Sequence, residues 1–155
     1  MNQIYKELIS LVPSMVIAII TAYVTVRLSL KQFYSQKWWE KKAEAYTNVI
    51  ESLAIMQHYM GLWFDELITY KRSDEEVNRR FAADYQKHCD YIIKISTQGA
   101  FIISNEVANE LEMLIKELNK DEQDLIADYD NTFSAIKKSI EKIRSLAKKD
   151  LKVSQ

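Results

Sequence analysis

The feature that most constrains this chain is a run of 19 residues without a charged side chain, from Leu8 to Val26. A helix rises about 1.5 Å per residue and needs roughly 20 residues to cross a hydrocarbon core about 30 Å thick. Glu7 and Arg27 bound the run, and its positions are apolar or small on every side. The sequence therefore predicts one transmembrane helix near the N-terminus.

Two other interpretations of this run are a cleaved signal peptide and a buried helix of a soluble domain. A signal peptide would have a basic start and an Ala-x-Ala cleavage pattern, but Lys6 is offset by Glu7 and that pattern is absent. A buried helix of a soluble domain would carry polar residues along one face. We therefore expect an outer tail over residues 1–7, a transmembrane helix over 8–30 and a cytosolic helical domain over 31–155.

Basic residues cluster after the run rather than before it. Five lysine or arginine residues lie between positions 27 and 42, whereas Lys6 alone precedes the run. Because cytoplasmic flanks are enriched in Lys and Arg, the C-terminal domain is predicted to face the cytoplasm, with the N-terminus outside. Contact with the membrane surface is predicted for the basic residues Arg27, Lys31, Lys37, Lys148, Lys149 and Lys152.

One stripe of the predicted transmembrane helix carries only small side chains. They recur every four residues, at Ser10, Ser14, Ala18 and Ala22. Rows of small residues at this spacing let two helix backbones approach closely. We therefore expect these positions to form a contact between transmembrane helices, which would make the protein a homo-oligomer.

The rest of the chain is predicted to be helical because it contains few residues that break helices. Two Gly and one Pro occur in 155 residues, of which 48% are apolar, and a turn-rich β fold would need far more turn residues. Beyond the transmembrane helix, apolar residues alternate spacings of four and three, which predicts one packed face on a long helix reaching about Tyr70. The residues on this face are Trp39, Ala43, Tyr46, Ile50, Leu53, Gln57, Met60, Phe64 and Leu67.

Three further helices are predicted after the long one. Their starts, read from capping residues, are Ser73, then Ser104 or Asn105, and then Asn119. Ser73 and Asn119 are each followed by Glu three positions later, which is the capping-box spacing. The second helix is expected to end before Gly99. Helices with such short connections pack antiparallel, so the predicted fold is all-α, with the N-terminal transmembrane helix continuing into an up-and-down four-helix bundle.

The predicted helix lengths bring the basic C-terminal tail back to the membrane. At the standard rise, the first helix climbs roughly 60 Å from the membrane, and the next three together return by about the same distance. Residues 137–152 contain 7 basic and 2 acidic residues, a balance of +5, whereas residues 65–130 contain 16 acidic and 8 basic residues, a balance of −8. An anionic leaflet attracts each well-placed Lys or Arg by around 1 kcal/mol. We therefore expect Lys148, Lys149 and Lys152 to reach the membrane surface.

No pattern in the sequence indicates catalysis. The net charge of −1 argues against a nucleic-acid partner, and the sequence contains no Gly-rich phosphate loop or nucleophile elbow. His88 and Cys89 are adjacent, so on a helix they point about 100° apart. His88 is expected to be a hydrogen-bonded core residue, with Gln57 as a candidate partner. We therefore predict that the protein is not an enzyme and uses no metal, cofactor or small-molecule substrate.

Two adjacent tryptophans follow the predicted transmembrane helix. Trp39 belongs to the apolar face of the long helix and is expected in the core. Trp38 points in a different direction, because neighbouring helix residues differ by about 100°. Trp38 is therefore predicted to contact a partner protein, and the acidic middle of the domain is a second candidate surface.

Two segments, Trp38–Tyr46 and Phe101–Val107, resemble stretches of small bacterial membrane proteins of unknown function. In that group, one anchor helix carries a cytosolic helical domain, and some members are similar to membrane-acting effectors of antiphage systems. The resemblance implies a location in the bacterial inner membrane. It transfers no active-site residue.

The leading interpretation of the sequence is a non-enzymatic scaffold that holds a cytosolic partner, or another copy of itself, at the membrane. The alternative is an effector or channel component of a bacterial defence system, whose transmembrane helices assemble and permeabilise the bilayer. Ser10, Ser14, Thr21 and Thr25 give the transmembrane helix weak polarity but no charge, which favours the scaffold.

Overall fold

The computed structural model describes residues 2–69, 74–120 and 125–152, with side chains described from Pro13 onward except those of Ala100 and Leu125. Within these ranges the chain forms helices and no β-strand, so the prediction of an all-helical protein is confirmed. The helices are α1 (Asn2–Thr69), α2 (Glu75–Gln98), α3 (Asn105–Leu118) and α4 (Leu125–Asp150), with one turn of 3-10 helix at Gly99–Phe101 between α2 and α3.

The chain divides into two compact units, and α1 contributes to both. Unit 1 comprises Met1–Glu40 and unit 2 comprises Lys41–Gln155. Pro13 lies inside α1 without ending it, which is common in transmembrane helices, where other groups satisfy the freed carbonyl. The last described residue of the long helix is Thr69, and the predicted limit, Tyr70, lies outside the described residues.

The core of unit 2 draws apolar side chains from the second half of α1 and from α2, α3 and α4. Among the residues whose side chains are described, sixteen buried apolar residues form one cluster. Burying a large aliphatic or aromatic side chain contributes about 1.5–3 kcal/mol relative to leaving it exposed, so this cluster holds the helices of unit 2 together. The members with no more than 2% exposure are Tyr46, Val49, Leu53, Met56, Ile92, Val107, Leu111, Ile136 and Ile143.

The buried face of α1 differs from the predicted one by a rotation about the helix axis. Tyr46, Leu53 and Met60 are buried as expected. However, Ile50, Gln57 and Phe64 are only half-buried, and Val49 and Met56 are completely buried in their place. The prediction failed because two overlapping apolar stripes share Tyr46, Leu53 and Met60, and spacing alone does not say which one faces the other helices.

Capping residues set the start of α2. The Asp74 side chain accepts a hydrogen bond from the Glu76 N–H at 2.8 Å, so Asp74 is the N-cap. The predicted cap, Ser73, lies outside the described residues, and the Glu76 carboxylate pairs with Arg80 on the next turn. The helix ends at Gln98, immediately before Gly99, as predicted.

The start of α3 also agrees with the sequence, but the start of α4 does not. Ser104 is the N-cap of α3, and its hydroxyl accepts a hydrogen bond from the Val107 N–H at 3.4 Å. Asn119 is the C-cap of α3, where its N–H donates to the carbonyl of Ile115, rather than the predicted cap of the fourth helix. The first described residue of α4 is Leu125, and Glu122 lies outside the described residues.

Candidate functional site

The first candidate site is the apolar part of α1. Every described side chain from Pro13 to Trp39 is exposed, and an 18-residue window in this helix has a mean hydropathy of 1.6 with none of it buried. Ile17 and Ile19 are 64% and 65% exposed. A contiguous apolar surface of this kind marks contact with a membrane or another protein. Among the described residues, α1 is therefore the one helix long and apolar enough to cross a membrane.

The stripe of small residues lies on this exposed segment. Ser14, Ala18 and Ala22 are all exposed, whereas the side chain of Ser10 lies outside the described residues. The Thr21 hydroxyl donates to the carbonyl of Ile17 at 2.8 Å, so its polarity is satisfied within the helix. A contact between transmembrane helices at the stripe stays a prediction.

The predicted membrane-surface residues are exposed, although they differ in their partners. Lys37 Nζ lies 2.7 Å from a Glu40 carboxylate oxygen and 6.0 Å from the ring centre of Phe33. Hydrogen bonds from Lys37 and from a glutamine on the previous turn hold the pKa of Glu40 below its ordinary value. The Glu40 carboxylate therefore partly neutralises the positive charge of Lys37. The remaining five residues of the predicted membrane-surface set are also exposed: Arg27, Lys31, Lys148, Lys149 and Lys152.

The two adjacent tryptophans are equally exposed. Trp38 and Trp39 each leave 48% of their surface accessible, so the prediction that Trp39 lies in the core is wrong. The buried part of α1 begins at Ala45, six residues later. Both indole rings are therefore partly exposed, and Trp38 remains the predicted partner residue.

A polar network joins three helices at one end of unit 2. The Tyr46 hydroxyl, on α1, donates to the Asp150 carboxylate at the end of α4 and accepts a hydrogen bond from the Ser104 N–H at 2.8 Å. Lys42 Nζ lies 2.7 Å from the same carboxylate. We call this part of the molecule, defined by Lys42, Tyr46, Ser104 and Asp150, the basal end of unit 2. It lies beside Lys41, the residue at which unit 2 begins.

The network fixes the protonation of its two acidic groups. Burial, followed by the hydrogen bond to Asp150, raises the pKa of Tyr46 to about 12. Burial alone would raise the pKa of Asp150, but hydrogen bonds from Lys42 and Tyr46 outweigh it and hold this pKa below its ordinary value. At neutral pH the pair therefore consists of a neutral phenol and a charged carboxylate. We interpret this contact as one that supports the fold.

The sequence analysis missed this network. It treated Tyr46 as an apolar core residue and assigned Asp150 no role. A signal existed, because a buried tyrosine hydroxyl usually finds a hydrogen-bond partner. The partner, Asp150, is 104 residues away, and only the packing of α4 against α1 identifies it.

Asp150 should give unit 2 a stability that depends on pH. Because its folded pKa lies below the ordinary value of 3.8, its contribution is fully present above that value and is lost as the pH falls through the folded pKa. We expect Asp150→Asn to lower the urea midpoint of the full-length protein in detergent at neutral pH. We also expect this variant to lose less stability than the wild type on acidification.

The control is Asp130→Asn, which changes an exposed acid on the same helix. This variant should follow the wild type at every pH. Identical acid profiles for wild type and Asp150→Asn would contradict the role assigned to Asp150.

A groove of about 470 Å³ between α1 and α2 contains the histidine considered in the sequence analysis. His88 Nδ1 lies 3.1 Å from the Ser52 hydroxyl, and Nε2 lies 3.9 Å from Asp84. His88 is thus hydrogen-bonded as expected, but it is half-buried rather than part of the core, and its partner is Ser52 and not Gln57. Burial raises the pKa of the Cys89 thiol, which makes it less reactive. No group of three His, Cys, Asp or Glu in the described part of the chain could hold a metal ion.

A second buried polar group, Glu110, joins α3 to α4. The Ser139 hydroxyl donates to one carboxylate oxygen at 3.1 Å, and Lys142 Nζ lies 2.5 Å from the other. Glu110 is 8% exposed, and hydrogen-bonding partners offset the cost of burying a polar group. No pattern in the sequence assigned Glu110 a role.

Comparisons with models of protein families, with curated protein sequences and with solved structures find no match to this chain.

Proposed function

We propose that this protein is a non-enzymatic, membrane-anchored interaction module of the bacterial inner membrane. In this proposal α1 crosses the bilayer, the N-terminus is outside, and unit 2 presents a binding surface in the cytoplasm. The observation that carries the proposal is the contrast along α1: its first part exposes apolar side chains continuously, whereas its second part belongs to the core of unit 2. Such a chain holds a folded unit at a membrane.

In this proposal unit 2 is an up-and-down four-helix bundle. Three observations within unit 2 support it. The N-cap of α3 contacts Tyr46 on α1, the last turn of α4 contacts the same residue, and α2 ends immediately before the turn that precedes Ser104. Helices α2 and α4 therefore run toward the basal end, while α3 runs away from it, as alternating directions require.

The proposed partner surfaces are Trp38 and the acidic residues within positions 65–130. Aromatic residues such as Trp are enriched among those that dominate binding at interfaces. The partner is a cytosolic protein or a second copy of this chain, and anionic lipid is the partner of the basic residues.

The alternative function is an effector that permeabilises the bilayer through assembled α1 helices, as a component of a bacterial defence system. The exposed stripe containing Ser14, Ala18 and Ala22 supports association of these helices. The scaffold is favoured because the stripe carries no charge and because the Thr21 hydroxyl is satisfied by Ile17 within its own helix. A water-filled pore would need polar groups that face its lumen.

A measurement of membrane potential during induced expression separates the two functions. We expect no depolarisation for the scaffold, even at high expression. Rapid depolarisation that disappears in Ala18→Leu or Ala22→Leu would instead support the effector, because a larger side chain blocks close approach of the helices.

A second measurement tests the interaction surface directly. Full-length protein is cross-linked in intact membranes and purified in detergent, and Trp38→Ala is compared with Tyr34→Ala, which removes another exposed aromatic ring of unit 1. We expect the yield of the cross-linked product to fall at least tenfold in Trp38→Ala and to stay at the wild-type level in Tyr34→Ala. Equal products in both variants would count against Trp38 as the contact.

A further inference from the structure

We propose that Phe101 inserts into the lipid–water interface and forms, together with Lys149 and Lys152, a second membrane contact at the basal end of unit 2. This inference rests on the membrane anchoring proposed above. The occupant of the site is an anionic lipid surface.

Phe101 is the most exposed large apolar side chain among the described residues. Its exposure is 70%, compared with 65% for Tyr23 and Ile19 in the candidate transmembrane segment. An exposed phenylalanine at the tip of a turn gains no packing energy in water. Transfer of such a ring from water to an apolar environment is worth about 1.5–3 kcal/mol when it is fully buried.

The turn that carries Phe101 is anchored by its neighbours. The N–H groups of Ile102 and Ile103 both donate to the carbonyl of Gly99, at 2.7 and 2.9 Å, and Ile103 is buried in the core. Gly99 allows the turn to approach α2 closely, since a Cβ atom there would lie 2.6 Å from the side chain of Ile95. The turn therefore holds Phe101 outward while Ile103, two residues later, faces the core.

The position of the turn places Phe101 at the basal end. Ser104, three residues later, donates its N–H to Tyr46. Ser104 also lines a cleft of about 200 Å³ whose other walls include Lys149 and Lys152. The exposed aromatic ring and the two lysines consequently belong to the same end of unit 2.

The charges around the turn favour an anionic lipid surface. Aromatic rings and basic residues together are typical of segments that bind the interface of anionic membranes. Glu106 and Asp150 also line the cleft, but Asp150 is paired with Lys42 at 2.7 Å. Residues 137–152, which include the last part of α4, carry a net charge of +5.

The size of the apolar surface at the turn distinguishes lipid from a protein partner. A stable protein interface buries about 800 Å² on each partner. Here the residues that follow the turn, Ser104, Asn105 and Glu106, are polar, so the apolar run of sequence that contains Phe101 ends at Ile103. A single ring beside lysines suits insertion between headgroups better than association with another protein.

The test uses an environment-sensitive fluorophore on the full-length protein in lipid nanodiscs. Cys89→Ala removes the one native cysteine, and a single cysteine is then introduced and labelled with the NBD group. The three sites are Phe101→Cys, Ile17→Cys inside the proposed transmembrane helix, and Ile68→Cys near the end of α1, where Ile68 is 49% exposed. Doxyl-labelled lipids report direct contact with the bilayer.

We expect the probe at position 101 to emit at shorter wavelength than the probe at position 68 and to be quenched at least twofold more by doxyl lipid. The quenching should fall when phosphatidylglycerol is replaced by phosphatidylcholine, and also in Lys149→Glu/Lys152→Glu. A probe at position 101 that matches the probe at 68 would overturn the inference. So would a blue shift without quenching by lipid, because that result indicates contact with protein.

The probe at position 17 separates failure of this inference from failure of the proposed function. Quenching at position 17 without quenching at position 101 would leave the anchor in place and reject the second contact. Absence of quenching at position 17 would reject the membrane anchor itself, and the inference would fall with it.

Discussion

Ile17→Asp/Ile20→Asp should remove the protein from membranes, whereas the wild-type chain should float with them in a density gradient. Aspartate at the centre of a transmembrane helix costs about 3 kcal/mol on insertion scales, so two substitutions oppose insertion by about 6 kcal/mol. Both isoleucines are exposed on the apolar part of α1, at 64% and 56%. Their replacement therefore leaves the core of unit 2 intact. Flotation is the required measurement because aggregates sediment with membranes during simple centrifugation.

The matched control places the same two charges outside the apolar run. Ser35→Asp/Gln36→Asp adds aspartate at exposed positions of α1 nine or more residues beyond Val26, and this variant should float like the wild type. A wild-type protein that stays at the bottom of the gradient without detergent would refute the anchor. The exposed apolar surface of α1 would then have to be covered by protein.

Met56→Ala should destabilise unit 2 much more than Gln57→Ala. Met56 is completely buried and borders a cavity of about 210 Å³ lined also by Tyr85, Cys89 and Ile92. Truncating a buried methionine to alanine costs about 2–5 kcal/mol through lost apolar burial and an enlarged cavity. Gln57 is only half-buried, so its truncation should change stability by about 0.5 kcal/mol or less.

This pair of variants decides which face of α1 packs against the other helices. The measurement is urea unfolding of the full-length protein in detergent, monitored by circular dichroism. The wild type is unfolded under the same conditions. If the face containing Gln57 were the packed one, Met56→Ala would hardly change the free energy of unfolding. A larger loss of stability in Gln57→Ala than in Met56→Ala would contradict the packing described above.

Several features of this protein follow from local sequence. The charge-free run from Leu8 to Val26 predicts a membrane-spanning helix, because the length and polarity needed to cross a bilayer are properties of one segment. The boundaries at Gly99 and Ser104 were also predictable. A capping residue forms its hydrogen bond within three positions of itself, so its neighbours alone reveal it.

Local sequence could not predict which residues are buried by contacts between the helices of unit 2. The sequence suggested that Trp39 and Gln57 face the core, whereas packing leaves Trp39 exposed and buries Met56 beside Gln57. Both candidate faces of α1 have the same periodicity. The choice between them is made by the shapes of the helices that pack against α1, and those shapes are not visible in the spacing of one helix.

The polar contacts of unit 2 likewise depend on tertiary structure and not on local sequence. Nothing near Tyr46 in the sequence indicates that its hydroxyl meets Asp150, 104 residues later, and nothing near Glu110 indicates that Ser139 and Lys142 surround its carboxylate. Local sequence determined the helices and the candidate anchor, because those depend on segment length, polarity and capping. Tertiary structure decided which side chains are buried and which polar groups meet, because burial and hydrogen bonding require partners that only folding brings together.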